Sequence, residues 1–214
     1  MAAIVLTVAQ QKGGAGKTTL AAQLAAALAA DRRVAVLDID PQKSLARWHA
    51  LRENAARAAS AGLSFAETAG WKLAAEIDRL RRDHDVVLID SPPHAETEAR
   101  LAVRAADLVL VPLQPSPVDL WATGPTLDLA HAEKREARIV LNRAPSRGRL
   151  LEAVQAEIAR GATPALAASL GNRSAYAMAM AAGLGVTESA PGSLAAAEVR
   201  GLVSALDPWL GRHA

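Results

Sequence analysis

Cysteine is absent from the 214-residue chain, and aromatic residues make up only 3% of it. Without cysteine the protein cannot hold a disulfide, a zinc ion bound through thiolates, or an iron–sulfur cluster. With so few aromatic rings, it lacks the stacking platforms on which proteins usually hold single-stranded nucleic acid. If the protein binds nucleic acid at all, the composition favours a duplex.

Long apolar runs and a strong net charge are missing as well. The alanine-rich stretch Leu20–Ala30 falls short of the about 18 apolar residues that a membrane span needs, and it belongs to a helix. The N-terminus has no basic region or cleavage site of a signal peptide, so we expect a cytoplasmic protein without stable membrane association. The net charge is +2, so DNA binding would depend on local basic clusters.

What the sequence does have is a regular alternation of short apolar runs and helical stretches, with 51% hydrophobic residues. The runs rich in β-branched residues predict buried parallel strands at Ile4–Val8, Val34–Leu37, Val86–Ile89, Leu108–Val111 and Arg138–Leu141, with weaker candidates at Leu63–Ala66 and Ala165–Ala168. Helices are predicted at Lys17–Ala30, Ser44–Ala59, Lys72–Asp83, Glu96–Ala105, Leu120–Lys134, Leu150–Arg160 and Leu194–Leu210. This alternation predicts an α/β fold in three layers, with a mostly parallel central sheet of about seven strands flanked by helices. No linker interrupts residues 1–214, so we expect a single domain.

A glycine-rich turn joins the first predicted strand to the first predicted helix, which is the context that a phosphate-binding loop needs. The residues expected to contact nucleotide here are Lys12, Gly13, Gly14, Ala15, Gly16, Lys17, Thr18 and Thr19. Glycines let backbone N–H groups surround phosphate oxygens, and the helix N-terminus adds a positive dipole end. We expect Lys17 to reach the β- and γ-phosphates, Thr18 to bind Mg²⁺, and Thr19 to contact the α-phosphate region. The sequence therefore predicts the fold of a P-loop nucleoside triphosphatase.

The loop departs from the general P-loop pattern because Gln11 stands where the first glycine belongs and Lys12 follows it. The motif K-G-G-x-G-K-T resembles the deviant Walker A loop of the ParA/MinD superfamily of ATPases. The resemblance extends over most of the chain, and Pro112–Asp119, Leu170–Tyr176 and Ala182–Val186 look like the corresponding segments of short ParA-type partition ATPases. It implies that Lys12 is catalytic and reaches across a dimer interface to the nucleotide of the partner subunit.

Two acidic motifs follow the loop, each at the end of a predicted strand. The apolar run ending at Asp90 resembles a Walker B element, in which this carboxylate holds Mg²⁺ through water. The segment Asp38–Gln42 resembles the D-x-D-P-Q switch I of the superfamily. That resemblance implies that Asp40 orients the attacking water and that Asp38 supports the Mg²⁺ shell. The expected metal site is thus Thr18, Asp38 and Asp90, with Lys12, Lys17 and Asp40 as the catalytic groups.

The identity of the base is indicated by the segment after the predicted strand Arg138–Leu141. Guanine-specific P-loop enzymes use the pattern N-K-x-D, but the position of that aspartate is occupied here by Pro145. The missing carboxylate favours ATP over GTP. Asn142 could bond the adenine edge or could simply cap the turn.

The resemblance also implies partners. ParA-like proteins form a homodimer with ATP, bind nucleoid DNA without sequence preference, and release it when a ParB-like or small cargo-adaptor protein stimulates hydrolysis. The cargo can be a plasmid, a chromosome locus or a protein cluster. Basic residues that could contact duplex DNA are Arg143, Arg147, Arg149, Arg173 and Arg200, with Lys134, Arg135 and Arg138 nearby in sequence.

Two other functions share this fold. A MinD-like membrane-positioning ATPase would need a basic amphipathic tail, whereas Leu194–Leu210 has few basic residues and is better explained by packing on the domain. A metabolic enzyme of the cobyrinic acid diamide synthase or dethiobiotin synthetase type would place a small substrate where ParA-type proteins place a second subunit. Lys12 would then have no role in a partner's site.

Overall fold

A computed structural model describes residues 3–55, 62–93 and 96–211 of the chain. Its centre is a sheet of six parallel strands in the order β3-β2-β4-β1-β5-β6. The strands are β1 Ile4–Val8, β2 Val34–Asp38, β3 Leu63–Glu67, β4 Val86–Asp90, β5 Leu108–Leu113 and β6 Glu136–Leu141. The doubly wound order places β1 in the interior of the sheet, between β4 and β5. The segment that follows β1 therefore leaves from the middle of the carboxyl edge, where ligands bind in such sheets.

Helices cover both faces of the sheet. They are α1 Lys17–Leu28, α2 Ser44–Glu53, α3 Leu73–Leu80, α4 Glu96–Ala105, α5 Pro117–Trp121, α6 Gly124–Ala132, α7 Arg149–Arg160, α8 Ser174–Ala181, α9 Val186–Ser189, α10 Leu194–Ala205 and α11 Asp207–Leu210. Alternate strand residues point to opposite faces, so each continuous apolar strand feeds two cores. One core lies beneath α1, α2 and α8 to α11, and the clusters on the other face lie beneath α3, α4, α6 and α7.

Alanine allows α1 to pack unusually close to its neighbours. Most of the helix is buried, and it contacts α8, α9 and α10. A side chain on Gly185 would place its Cβ only 2.6 Å from the Cβ of Ala26, so both positions need small residues. The high alanine content is thus used in the core that supports the phosphate loop.

The expected strand count was wrong: the described residues form a sheet of six strands rather than about seven. The weaker candidate Leu63–Ala66 is strand β3, but Ala165–Ala168 forms no strand. Ala165 makes only an isolated bridge with Ile139, whose N–H donates to the carbonyl of Pro164 at 3.1 Å. Pro164 has no N–H, which ends this pairing on the side that precedes Ala165. Through the rest of the predicted stretch, as far as Ala168, the described structure shows no further bridge with β6.

Some helix boundaries also differ from the prediction. The segment Leu120–Lys134 contains two helices, α5 and α6, because Pro125 has no N–H to donate to the carbonyl of Trp121. The helix predicted over Ser44–Ala59 ends at Glu53, and residues 56–61 lie outside the described part of the chain.

The C-terminal segment packs on the body of the protein. A break before Pro208 divides the predicted helix Leu194–Leu210 into α10 and α11. Its apolar residues Val199, Leu202, Leu206 and Leu210 are buried against the face that carries α1. This burial confirms the interpretation that the segment packs on the domain. Among the helices of the described residues, none is long and apolar enough to span a membrane.

Candidate nucleotide-binding site

The loop between β1 and α1 has a backbone that only glycine accommodates easily. Gly14 and Gly16 have φ angles of 77° and 90°, in the left-handed region. A Cβ on Gly16 would also lie 2.3 Å from Nδ2 of Asn142. Nδ2 of Asn142 also donates to the carbonyl of Ala15 at 2.9 Å, and this hydrogen bond holds the turn against the end of β6. The loop thus has a fixed conformation, and it leads directly into the N-terminus of α1.

Lys17 opens α1 and is buried, unlike most lysines. Burial lowers the pKa of its ammonium group below the usual value, while the charges of Asp90 and Asp40 act in the opposite direction. The nearby carboxylates favour the charged form of the lysine, and an ammonium group at a helix N-terminus is well placed to bind an anion. This supports the predicted role of Lys17 at the phosphates.

Asp90, at the end of β4, is fully buried beside the first turn of α1. The hydroxyl of Thr18 donates to its Oδ2 at 2.6 Å, whereas Oδ1 has no hydrogen-bond partner among the described residues. Burial is the main cause that raises the pKa of Asp90 to about 7. The hydrogen bond from Thr18 lowers this pKa, and the charge of Asp38 raises it further. A buried carboxylate with one unsatisfied oxygen beside a hydroxyl fits a hydrated Mg²⁺, which binds oxygen ligands. The structure therefore brings together two of the three predicted metal ligands.

The third predicted metal ligand, Asp38, ends the neighbouring strand β2, in register with Asp90. Its Oδ1 accepts from the backbone N–H of Asp40 at 2.9 Å and its Oδ2 from that of Ala46 at 3.0 Å. Burial raises the pKa of Asp38, partly offset by these two hydrogen bonds. Asp38 thus holds the turn that carries Asp40 into α2, a role that the sequence did not indicate. Its part in the metal shell stays a prediction.

Asp40 lies on this turn, on the same edge as Lys17. It is buried, and its Oδ1 accepts from the N–H of Gln42 at 2.9 Å. Its charge acts on both Lys17 and Asp90, so it lies close to the site predicted for the phosphates and the metal. Its role toward an attacking water stays a prediction. Within the described residues, no group of three His, Cys, Asp or Glu side chains could hold a metal ion by itself.

Lys12, the other lysine of the loop, is in a different environment from Lys17. Its side chain is 36% exposed, and Nζ forms a 2.8 Å ion pair with Oδ1 of Asp119 in α5. The hydroxyl of Ser116 donates to the other oxygen of this carboxylate and accepts from the N–H of Asp119 at 3.1 Å. Sequence reasoning did not single out Asp119 as a partner for Lys12. Its only signal was its place in the segment Pro112–Asp119 that carries the family resemblance.

A cavity of about 390 Å³ opens beside the loop, behind Gly16 and Thr19. Its other lining residues are Asn142, Arg143, Gly171, Asn172, Arg173, Ser174, Tyr176 and Ala177. We refer to it as the base cavity, because it adjoins the loop on the side where Asn142 lies. The structure therefore brings Asn142 to the expected place, and its contact with the base itself stays a prediction.

The predicted DNA-binding residues fall into two groups. Arg138 and Arg173 are already engaged, by Glu136 and Glu198 respectively, at 2.6 Å in each case. Both are therefore poor candidates for DNA phosphates. Arg143, Arg147 and Arg149 are exposed within one short segment after β6, and Arg200, Lys134 and Arg135 are exposed elsewhere.

Comparison with known proteins places these features in a family. The sequence model described as the CobQ/CobB/MinD/ParA nucleotide-binding domain matches residues 6–186. The chain is 30% identical to the maintenance of carboxysome distribution protein A of Halothiobacillus neapolitanus, over 96% of this chain and 97% of that protein. It is 34% identical to a protein named ParA from Rhizobium radiobacter, over 62% of this chain and 58% of that protein.

Solved structures show the same fold at lower sequence identity. MinD from Pyrococcus horikoshii, complexed with Mg-ADP, superposes with a TM-score of 0.80 at 20% identity, covering 99% of both chains. An ATP complex of a Cyanothece McdA variant gives a TM-score of 0.74 at 17% identity, covering 96% of this chain and 95% of the other. Cobyrinic acid a,c-diamide synthase from Mycobacterium smegmatis, with ADP and magnesium, gives 0.76 at 22% identity, covering 99% and 97%.

Proposed function

The chain belongs to the CobQ/CobB/MinD/ParA family of nucleotide-binding domains, and from this premise we propose that it is a Mg²⁺-dependent ATPase that positions a cargo. In this proposal the protein dimerises with ATP, binds duplex DNA without sequence preference, and hydrolyses ATP when a cargo adaptor stimulates it. The observation that carries the proposal is the contrast between the two loop lysines. Lys17 is buried in the first turn of α1, where the proposal puts the phosphates, whereas Lys12 is 36% exposed and pairs with Asp119. In the proposal Lys12 leaves Asp119 for the nucleotide of a second subunit.

The similarity to known proteins favours a protein cluster as the cargo. The relative from Halothiobacillus neapolitanus, which matches along nearly the whole chain, is named for the distribution of carboxysomes. The match to the protein named ParA from Rhizobium radiobacter covers a smaller share of both chains. We therefore propose positioning of a protein assembly ahead of partition of a plasmid or chromosome.

In the proposed reaction the side chains act mainly by position and charge. Bound Mg²⁺, held by Thr18 and through water by Asp90, would neutralise charge on the phosphates. Lys17 would hold the β- and γ-phosphates from within the subunit. Lys12 of the partner subunit would add a second positive charge at the γ-phosphate. Asp40 would orient the water that attacks it.

The first experiment measures ATP turnover, dimerisation and DNA binding on the same preparations. Lys17→Ala should abolish ATP binding, whereas Lys12→Ala should retain binding but lose the ATP-dependent dimer and its affinity for DNA. Lys72→Ala, which changes an exposed lysine outside the loop, is the matched control. DNA binding should require ATP and weaken steeply as salt rises, because it depends on phosphate contacts.

Each competing function predicts a different result. ATP-dependent flotation with lipid vesicles would favour a membrane-positioning ATPase. Turnover that survives Lys12→Ala while a small acid substrate is consumed would favour a metabolic enzyme. Full activity of Lys17→Ala would refute the assignment of the nucleotide site itself.

A further inference from the structure

The carboxylate of Glu198, on α10, organises one wall of the base cavity. It accepts from Nη2 of Arg173 at 2.6 Å and from Nε of Arg173 at 3.0 Å. The same carboxylate accepts from the N–H of Gly171 at 3.0 Å and from the hydroxyl of Tyr176 at 2.7 Å. The three donors are all residues that line the cavity, whereas Glu198 does not line it. A single side chain from α10 therefore fixes this wall.

The close packing at Gly171 shows how the arginine is held. A Cβ on Gly171 would lie 2.9 Å from Nε of Arg173 and 3.0 Å from Oε1 of Glu198. The guanidinium thus lies against the backbone of Gly171 instead of extending into solvent, and its side chain is only 31% exposed. Because Gly171 has no positive φ, glycine is required there for space rather than for backbone conformation. Because Gly171 has no side chain, the ion pair between Arg173 and Glu198 can pack directly on its backbone at the cavity wall.

We infer that Arg173 contacts the nucleoside of the bound nucleotide and that Glu198 is the residue that positions it. This inference rests on the proposed function, which supplies the nucleotide. Glu198 engages Nε and Nη2, whereas Nη1 has no partner among the described residues. Nη1 and the part of the guanidinium plane that does not lie against Gly171 are therefore left for a ligand in the cavity. A fixed guanidinium plane stacks on the face of a purine, and Nη1 can donate to an acceptor on the base or the ribose. The ligand chemistry is therefore a purine nucleoside.

The alternative for Arg173 is the DNA contact that the sequence suggested. A contact with DNA phosphate would have to compete with the bidentate ion pair, whose negative partner also cancels much of the local positive charge. Arg149 offers a comparison, since it is exposed at the start of α7 and does not line the base cavity. The two arginines should therefore respond to different ligands.

The test compares the binding of Mg-ATP with the binding of inorganic tripolyphosphate and Mg²⁺, which lacks the nucleoside. Calorimetry would be run on the full chain carrying Arg173→Ala, Glu198→Gln or the control Arg160→Ala, which changes an exposed arginine of α7 that does not line the base cavity. We expect Arg173→Ala to weaken ATP binding about tenfold and to leave tripolyphosphate unchanged, with a raised KM and an unchanged kcat. Glu198→Gln should show the same selectivity with a smaller loss, and Arg160→Ala should bind both probes as the wild type does.

Two results would overturn the inference. Equal losses for ATP and tripolyphosphate would show that the network only supports the fold, and unchanged ATP binding in Arg173→Ala would show that the arginine makes no nucleoside contact. If Arg173→Ala does not fold, Arg173→Lys replaces it, because lysine keeps the charge for Glu198 but lacks the planar face. A wild-type protein that binds tripolyphosphate but not ATP would instead refute the proposed function together with the inference.

Discussion

Replacing Asp90 with asparagine should stabilise the nucleotide-free protein, although it removes a residue assigned to the metal site. The carboxylate is fully buried, one of its oxygens has no partner in the described part of the chain, and its pKa is raised to about 7. Its ionised form is therefore held in the folded state at a cost that the Thr18 hydrogen bond and the charge of Lys17 offset only in part. The asparagine side chain would be neutral at every pH and could still accept the hydrogen bond from Thr18 through its amide oxygen.

The sign and size of the effect follow from proton linkage. A pKa raised in the folded state gives stability that is present below the unfolded pKa and is lost as pH rises through the folded pKa. With an unfolded pKa of about 3.9 and a folded pKa of about 7, the free energy of unfolding should fall by about 2.5 kcal/mol between about pH 5 and about pH 8. The full difference between the folded and unfolded pKa of Asp90 limits the stability that Asp90→Asn can gain at high pH to about 4 kcal/mol.

The assay is urea unfolding of the wild type and Asp90→Asn with EDTA and without nucleotide, repeated across this pH range. The difference between the two proteins reports on Asp90 and on the groups whose charges act on it, because carboxylates elsewhere titrate equally in both. Asp85→Asn is the matched control, since the ion pair with Arg33 lowers the pKa of Asp85 and its titration ends below this range. Parallel pH profiles for the wild type and Asp90→Asn would refute the reasoning, as would an Asp90→Asn protein that is less stable than the wild type at pH 8.

Three further predictions concern the loop and the core. Gly16→Ala should cost about 1–3 kcal/mol of stability and impair ATP binding, because Gly16 has a positive φ and no room for a Cβ. The control Gly192→Ala should be neutral, because a Cβ on Gly192 would meet open space. Asp119→Asn should let the ATP-dependent dimer form at lower protein concentration, measured by sedimentation, because it weakens the 2.8 Å pair that holds the first loop lysine; an unchanged dimerisation constant would contradict this. Leu202→Ala should lower the free energy of unfolding, measured with urea, by about 2–5 kcal/mol, because Leu202 is fully buried. Leu194→Ala, at an exposed position of the same helix, should change it by no more than about 0.5 kcal/mol. Equal changes would show that α10 does not pack as described.

Local patterns in the sequence were enough to predict the centre of the fold. The strand from Ile4 to Val8, the glycine-rich loop and the helix from Lys17 are contiguous, so periodicity and turn chemistry identify them without tertiary information. The same holds for Asp90 at the end of an apolar run. One boundary failed where a proline altered the hydrogen bonding, at Pro125 within a predicted helix.

The sequence by itself determined the chemistry of the loop, because the glycines and lysines that define it lie within a few residues of one another. Only the tertiary structure decided which distant groups meet these residues. Lys12 pairs with Asp119, 107 positions away, and Arg173 with Glu198, 25 positions away. No local pattern encodes such pairs, since they depend on the order of the strands and on how α10 packs against α1. Short-range conformational preferences act within a segment, whereas the burial and charge of its side chains depend on the segments that pack around it.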